Sequence, residues 1–191
     1  MYITKVIFRS AKFLCALNIR LKHTNMKKII ILFCGALMAC NQVKQEPPIE
    51  IANPKYIDLS KGVLTSLCQG DLEGFIKPYS DKATYRWNYG DSLVGRKAIA
   101  DYWTERRNSV IDTITFKNEV WLAFKVNDPP KHMKPGVYVL GWADFTVTYI
   151  NGSSLNMNIH TVFGYDRNDQ IISTLQYLDR SLIANALKPG E

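Results

Sequence analysis

Asp144 is the residue of this chain whose type and setting come closest to chemistry. It lies in Trp142-Ala143-Asp144-Phe145-Thr146, and in a strand every second residue shares a face, so its companions are Trp142, Thr146 and Thr148. A carboxylate among an indole and hydroxyls would have its pKa raised by burial. It could then orient the polar end of a ligand, or accept and return a proton. Tyr79 and His160 are the side chains that could assist it. The parity of His160 sets it with Asn158 and Val162, opposite Ile159, Thr161 and Phe163, and a lone imidazole fixes no chemistry without a group to orient it. A metal site is not expected: beyond residue 40 only His132 and His160 occur, and no His or Cys pair has ligand spacing. Glycine-rich phosphate loops and Ser or Cys nucleophile motifs are also missing, so no cofactor is expected.

The elements that must position these residues are legible from periodicity. Leu59, Val63, Leu64, Leu67 and Cys68 recur at three- and four-residue steps, which predicts a helix capped by Asp58 or Ser60 and stopped by Gly70. Asp71 caps a shorter helix, with Leu72, Phe75 and Ile76 on its packed side, ended by Pro78. Over residues 83–89 the odd positions Ala83, Tyr85, Trp87 and Tyr89 alternate with polar ones, as in a strand with one aromatic face. A third helix over residues 96–107 places Ile99, Tyr102, Trp103 and Arg106 on one side. Strands follow. One carries Ile114, Phe116, Val120, Leu122, Phe124 and Val126 with an interruption at Asn118; a long one over residues 137–150 meets Asn151-Gly152, a strong hairpin signal, and returns over residues 155–165. The last runs from residue 171 to about residue 182. Helices followed by a run of strands predict an α+β domain.

Two stretches carry a family resemblance. Residues 70–103, with Gly70-Asp71-Leu72-Glu73, Tyr79-Ser80-Asp81-Lys82-Ala83-Thr84-Tyr85, Trp87, Gly90-Asp91, Gly95-Arg96-Lys97-Ala98-Ile99 and Tyr102-Trp103, resemble the SnoaL-like branch of the nuclear transport factor 2-like superfamily. Residues 166–172 with Gln176-Tyr177-Leu178-Asp179 resemble its closing hairpin. The resemblance implies a cone of three N-terminal helices packed on a curved antiparallel sheet, enclosing a pocket. It implies that Trp142, Asp144, Thr146, Thr148 and Thr161 point inward, that Tyr79 and Trp103 face the pocket, and that His160 lies on the outer face. Catalytic members move a proton beside a carbonyl. Here Trp87 stands where the isomerase has its general base and Val63 where it has an oxyanion-stabilising Tyr, which disfavours steroid isomerisation.

Three functions follow as expectations. The first is a non-catalytic pocket for a small apolar or aromatic molecule, walled by Tyr79, Trp87, Trp103, Trp142, Thr146 and Thr161. The second is a cyclase, isomerase or dehydratase using Asp144 as general acid/base with Tyr79 or His160. The third is a homodimeric association module pairing through Tyr138, Leu140, Asn158, His160 and Val162.

The N-terminal part of the chain has a different character. Seven of the 24 Lys and Arg lie in residues 1–39, where there is no Asp or Glu, so the remaining 17 balance the 17 acidic residues. The part from Cys40 onward is formally neutral, which removes the electrostatic case for nucleic acid. Met26-Lys27-Lys28 followed by a short apolar run reads as a signal peptide over residues 26–39, and Leu37-Met38-Ala39-Cys40 resembles a bacterial lipobox in which Cys40 is lipidated. Residues 1–25 read as an upstream extension from a misassigned start, residues 40–55 as a Pro-containing tether, and residues 56–187 as the SnoaL-like domain. The expected location is the bacterial cell envelope, with a lipid anchor holding the domain to a membrane. Cys68 is left as the sole domain thiol, a small buried apolar residue.

Overall fold

In β5 (Gly136–Tyr149) burial alternates without a break, and this decides which face of the sheet is the inside. Val139, Ala143, Phe145, Val147 and Tyr149 are buried, whereas Tyr138, Leu140, Trp142, Asp144, Thr146 and Thr148 look the other way. The inward assignment of Trp142, Asp144, Thr146 and Thr148 is therefore reversed. The reason is one residue in the hairpin. A two-residue Asn151-Gly152 turn would pair Ile150 with Ser153 and set Trp142 opposite Thr161. Instead the loop holds Ile150, Asn151 and Gly152, closing with Tyr149 N donating to Ser153 O at 2.8 Å and with Gly152 at φ 84°. Trp142 then pairs with His160. A one-residue slip sends every side chain to the opposite face.

The computed structural model describes residues 46–188; the upstream extension, the signal segment and Cys40 lie outside them. β1 (Ile49–Ile51) pairs antiparallel with β4 (Ile111–Val126), so the expected tether already contributes an edge strand before residue 55. α1 (Lys55–Gln69) starts earlier than its periodicity suggested. Pro54 is its N-cap residue, and Asn53 Oδ1 accepts from Lys55 N at 2.9 Å. Ser60 is thereby left inside the helix, where its hydroxyl donates to Tyr56 O at 2.8 Å and meets the Tyr165 hydroxyl at 2.8 Å. Gly70 closes the helix in the left-handed region, and Asp71 caps α2 (Leu72–Ile76) by accepting from Gly74 N at 2.9 Å, as expected.

β2 (Tyr79–Trp87), β3 (Ser92–Val94) and α3 (Arg96–Ser109) precede β4, and β6 (Ser154–Tyr165) and β7 (Ile171–Tyr177) follow β5. Together they form an unclosed, curved seven-stranded sheet in the order β1-β4-β5-β6-β7-β2-β3. The sheet is mixed rather than wholly antiparallel, because β2 runs parallel to β7. A register shift between Lys117 and Val120, with Asn118 at φ 54°, divides β4. Before it Ile114 and Phe116 point inward; after it Ala123 does, and Val120 and Leu122 are exposed. A bulge bends the strand as well as flipping its parity.

The core lies between the inner sheet face and α1, α2 and α3, with Phe75, Tyr79, Tyr85, Ile99, Phe163 and Tyr165 fully buried. Truncating one of these rings, as in Phe75→Ala, would cost about 3–5 kcal/mol. The last strand ends at Tyr177. Asp179 then caps a fourth helix, α4 (Arg180–Ala186), accepting from Ser181 N at 2.9 Å where a continued strand was expected.

Candidate ligand pocket

A cavity of about 380 Å³ opens between the helices and the inner face of the sheet. Its floor is aliphatic and aromatic: Ile111 and Ile114 from β4, Phe145, Val147 and Tyr149 from β5, Met157 and Ile159 from β6. These are the inward residues of strands whose partners in register place them side by side, such as Phe145 opposite Met157 and Ala143 opposite Ile159. Leu64 and Leu67 of α1 form one wall, and Tyr102, Trp103 and Arg106 of α3 form another. The apolar step that predicted α3 is the same step that brings Arg106 to this wall, one turn beyond Tyr102.

The Trp103 ring is held by Phe75 and Tyr85, each with its centroid 5.9 Å away. Its indole N–H is buried and has no hydrogen-bond partner among the described residues. Trp87 packs on Tyr102 at 5.2 Å and stacks on Tyr89 at 6.1 Å, so the β2–β3 turn and α3 share one aromatic cluster. Such ring pairs add stabilisation beyond their buried area and stiffen the wall. Gln176 of β7 lines the cavity and donates to Thr161 Oγ1 at 3.4 Å.

α4 closes the cone, with Ile183 and Ala184 facing the cavity and Leu178 and Leu187 flanking them. It is tied at both ends. Arg180 Nη1 lies 3.4 Å from Asp91 Oδ2 and its guanidinium 4.6 Å from the centre of the Tyr89 ring. At the other end the Ala186 carbonyl accepts from Asn151 Nδ2 at 3.1 Å and from Ser153 Oγ at 2.7 Å.

The charges around the cavity are few. Asp91 is its only carboxylate among the described residues, exposed and paired with Arg180. Arg106 sits with its guanidinium 5.8 Å from the Tyr102 ring centre. Burial raises the pKa of Tyr89, Tyr102 and Tyr149, so their hydroxyls stay protonated. Among the described residues that line this cavity, none is a carboxylate held ready to take a proton and none is an imidazole.

The predicted site residues divide between two faces. Trp87 and Trp103 line the cavity. Tyr79 and Thr161 are buried beside it: the Tyr79 hydroxyl meets Thr174 Oγ1 at 3.0 Å, and Thr161 supports Gln176. Trp142, Asp144 and Thr146 are on the outer face. Trp142 stacks on His160 with centroids 4.4 Å apart, and His160 Nδ1 lies 3.0 Å from Gly141 O. Asp144 accepts from Asn118 Nδ2 at 2.8 Å and from Asn158 Nδ2 at 3.1 Å. These hydrogen bonds hold its carboxyl below the usual range, the reverse of the elevation expected for a buried base. Asp144 and His160 share the outer face, remote from the cavity lining. The odd-numbered run Val137, Val139, Ala143, Phe145, Val147, Tyr149 was the available signal for the inner face, since it contains no charge.

No protein-family model matches the chain, and no curated protein matches it in sequence. Solved structures do. A protein described as a SnoaL-like polyketide cyclase from Shewanella denitrificans is 14% identical, with a TM-score of 0.52 over 71% of this chain and 98% of that one. An LEH-like epoxide hydrolase from M. tuberculosis is 14% identical, with a TM-score of 0.54 over 70% and 89%. A protein of ketosteroid isomerase-like fold from Catenulispora acidiphila, in complex with trimethylamine, is 14% identical, with a TM-score of 0.51 over 69% and 94%. At these identities the likeness is one of backbone, and it covers nearly the whole of each neighbour. The curved, unclosed sheet cupped by helices matches these neighbours, and the fold of this chain is the nuclear transport factor 2-like cone.

Proposed function

We propose that this protein is a binding domain, carried on a lipid anchor, that holds a small apolar or aromatic molecule in its cone without transforming it. The observation behind this reading is the lining itself: an aromatic and aliphatic cavity whose single carboxylate, Asp91, is exposed and already paired. Its volume of about 380 Å³ is at the small end of ligand sites, which run from about 300 to 1,000 Å³. A cyclase or isomerase would need a base within hydrogen-bond reach of the reacting carbon, and Asp144 is on the other side of the sheet.

Trp87 and Trp103 report directly on the cavity, so ligand entry changes their fluorescence, and a bound ligand raises Tm by mass action. Val147→Trp and Ile159→Phe, which fill the floor, should abolish both signals while the circular dichroism stays unchanged. Persistence of both signals in filled variants that are folded would place the ligand elsewhere and end this reading.

The anchor belongs to the same proposal. The Leu37-Met38-Ala39-Cys40 motif supports acylation of Cys40. One acyl chain binds a bilayer only marginally, so several are needed for stable attachment. Cys40→Ser should release a soluble or unprocessed form, as read by membrane fractionation. The outer sheet face, with Val120, Leu122 and Tyr177 exposed beside Trp142, supports pairing with a second copy.

A further inference from the structure

We propose that the molecule held in the cone is an amphipathic organic anion, a monocarboxylate with an apolar or aromatic body, whose charged end is bound by Arg106 among the hydroxyls of Tyr89, Tyr102 and Tyr149. This rests on the cavity being a ligand site and adds the chemical class of its occupant.

The first support is the charge count. Two guanidinium groups, Arg106 and Arg180, line the cavity against one carboxylate, Asp91. Asp91 is taken by Arg180. The Arg106 guanidinium forms no ion pair or hydrogen bond with any described residue, whereas Lys55, Lys61, Arg96 and Lys125 each have a carboxylate partner. A half-buried cation with a phenol ring beside it and no anion paired to it has lost part of its hydration and gained little in exchange, and an arriving carboxylate would offset that loss.

The second support is the hydrogen-bond inventory. Tyr56, Tyr79, Tyr138 and Tyr165 all spend their hydroxyls on protein partners. The hydroxyls of Tyr89, Tyr102 and Tyr149 have no partner among the described residues, and the Trp103 indole N–H has none either. Burial keeps these phenols protonated, and Arg106, with its guanidinium 5.8 Å from the centre of the Tyr102 ring, lines the same cavity as all three. A guanidinium with protonated phenols is a set of donors with little to accept from them, and the group that satisfies such a set is an anion with several lone pairs. The aliphatic floor offers nothing to a second charge, so the rest of the ligand must be apolar.

The test is isothermal titration of the full chain with matched probes: 2-naphthoate against 2-naphthamide, and hexanoate against hexanol, with tryptophan fluorescence as the independent readout. The acids should bind about tenfold or more tightly than their neutral partners, as expected for one charge-assisted contact. Arg106→Gln should lower the affinity of the acids by about tenfold or more, bringing acid and neutral partner level. Added salt should weaken the acids alone, a check on the wild-type chain that does not depend on the variant folding. Equal binding of acid and neutral partner would overturn the anion assignment and leave the apolar pocket standing. Failure of every probe to bind would overturn both.

Discussion

At the scale of single residues, Asp144 and Arg106 exchange the roles that their neighbours in sequence suggest. Asp144 stands in an aromatic and hydroxyl context yet is an outer-face acceptor for Asn118 and Asn158. Asp144→Asn should therefore leave ligand affinity within error of wild type, as measured by titration. The buried tyrosines make a second prediction. Burial pushes Tyr165 up to about 12 and raises Tyr79 and Tyr85 as well. An unfolded Tyr ionises near pH 10, so the folded state loses stability as pH rises through that value, until the folded phenols ionise too. Stability is complete below about pH 10 and falls steadily above it. Tyr165→Phe should make that alkaline decline shallower in urea titrations across the range, because one ionisation is removed from the unfolded chain.

At the scale of elements, glycines of opposite consequence test the packing. Gly62 is mid-helix in α1 with open space where a Cβ would stand, so Gly62→Ala should raise stability by about 1 kcal/mol. Gly141 is covered by the Trp121 ring, which a Cβ would strike. Trp121 is itself held by its N–H donating to Glu119 Oε2 at 3.0 Å, and Glu119 by Lys61 of α1 at 2.7 Å. The ring has little freedom to yield, so Gly141→Ala should cost about 1–3 kcal/mol in chemical denaturation. The closing helix makes a different prediction. Because α4 is tied to the β5–β6 turn through Asn151 and Ser153, Ser153→Ala should loosen the helix over the cavity. Faster ligand release in stopped-flow fluorescence, with little change in Tm, is the expected outcome.

At the scale of the whole molecule, helices cover the inner face of the sheet, and the outer face carries an apolar patch that none of the described elements covers. Trp142, His160 and Tyr177 form a continuous ring stack on the uncovered face, with centroid separations of 4.4 and 5.5 Å. Val120 and Leu122 are 55% and 44% exposed beside it, more apolar surface than a solitary domain needs to show. A two-fold pairing would bury this patch on both copies. Sedimentation should then show a dimer that Leu122→Lys converts to monomer, with ligand binding intact because the cavity is on the opposite side. A monomeric wild type at tens of micromolar, about the range in which weak dimers populate, would refute it.

Local pattern alone determined a good deal of this protein. Gly70, Asp71 and Pro78 act through backbone geometry within a few residues, and each stops or caps the chain where its chemistry says it should; Asn151-Gly152 marks the hairpin but not its exact length. The helix faces followed for the same reason: a period of 3.6 is a local property, and Tyr102, Trp103 and Arg106 are on the cavity wall it predicts. Which face of β5 is inside was decided only by the tertiary structure. Both faces of that strand carry apolar residues, and their one difference in charge, Asp144 on the even face, is also what a functional carboxylate inside a pocket would give. The choice depends on one extra residue in the hairpin loop, which reverses the parity of β5 against β6; the bulge at Lys117–Val120 does the same to the second part of β4. The closing helix was hidden likewise. Its seven residues are too few to announce themselves by periodicity, and it is held by contacts from Asp91, Asn151 and Ser153 that are distant in sequence and adjacent only once the sheet has curved.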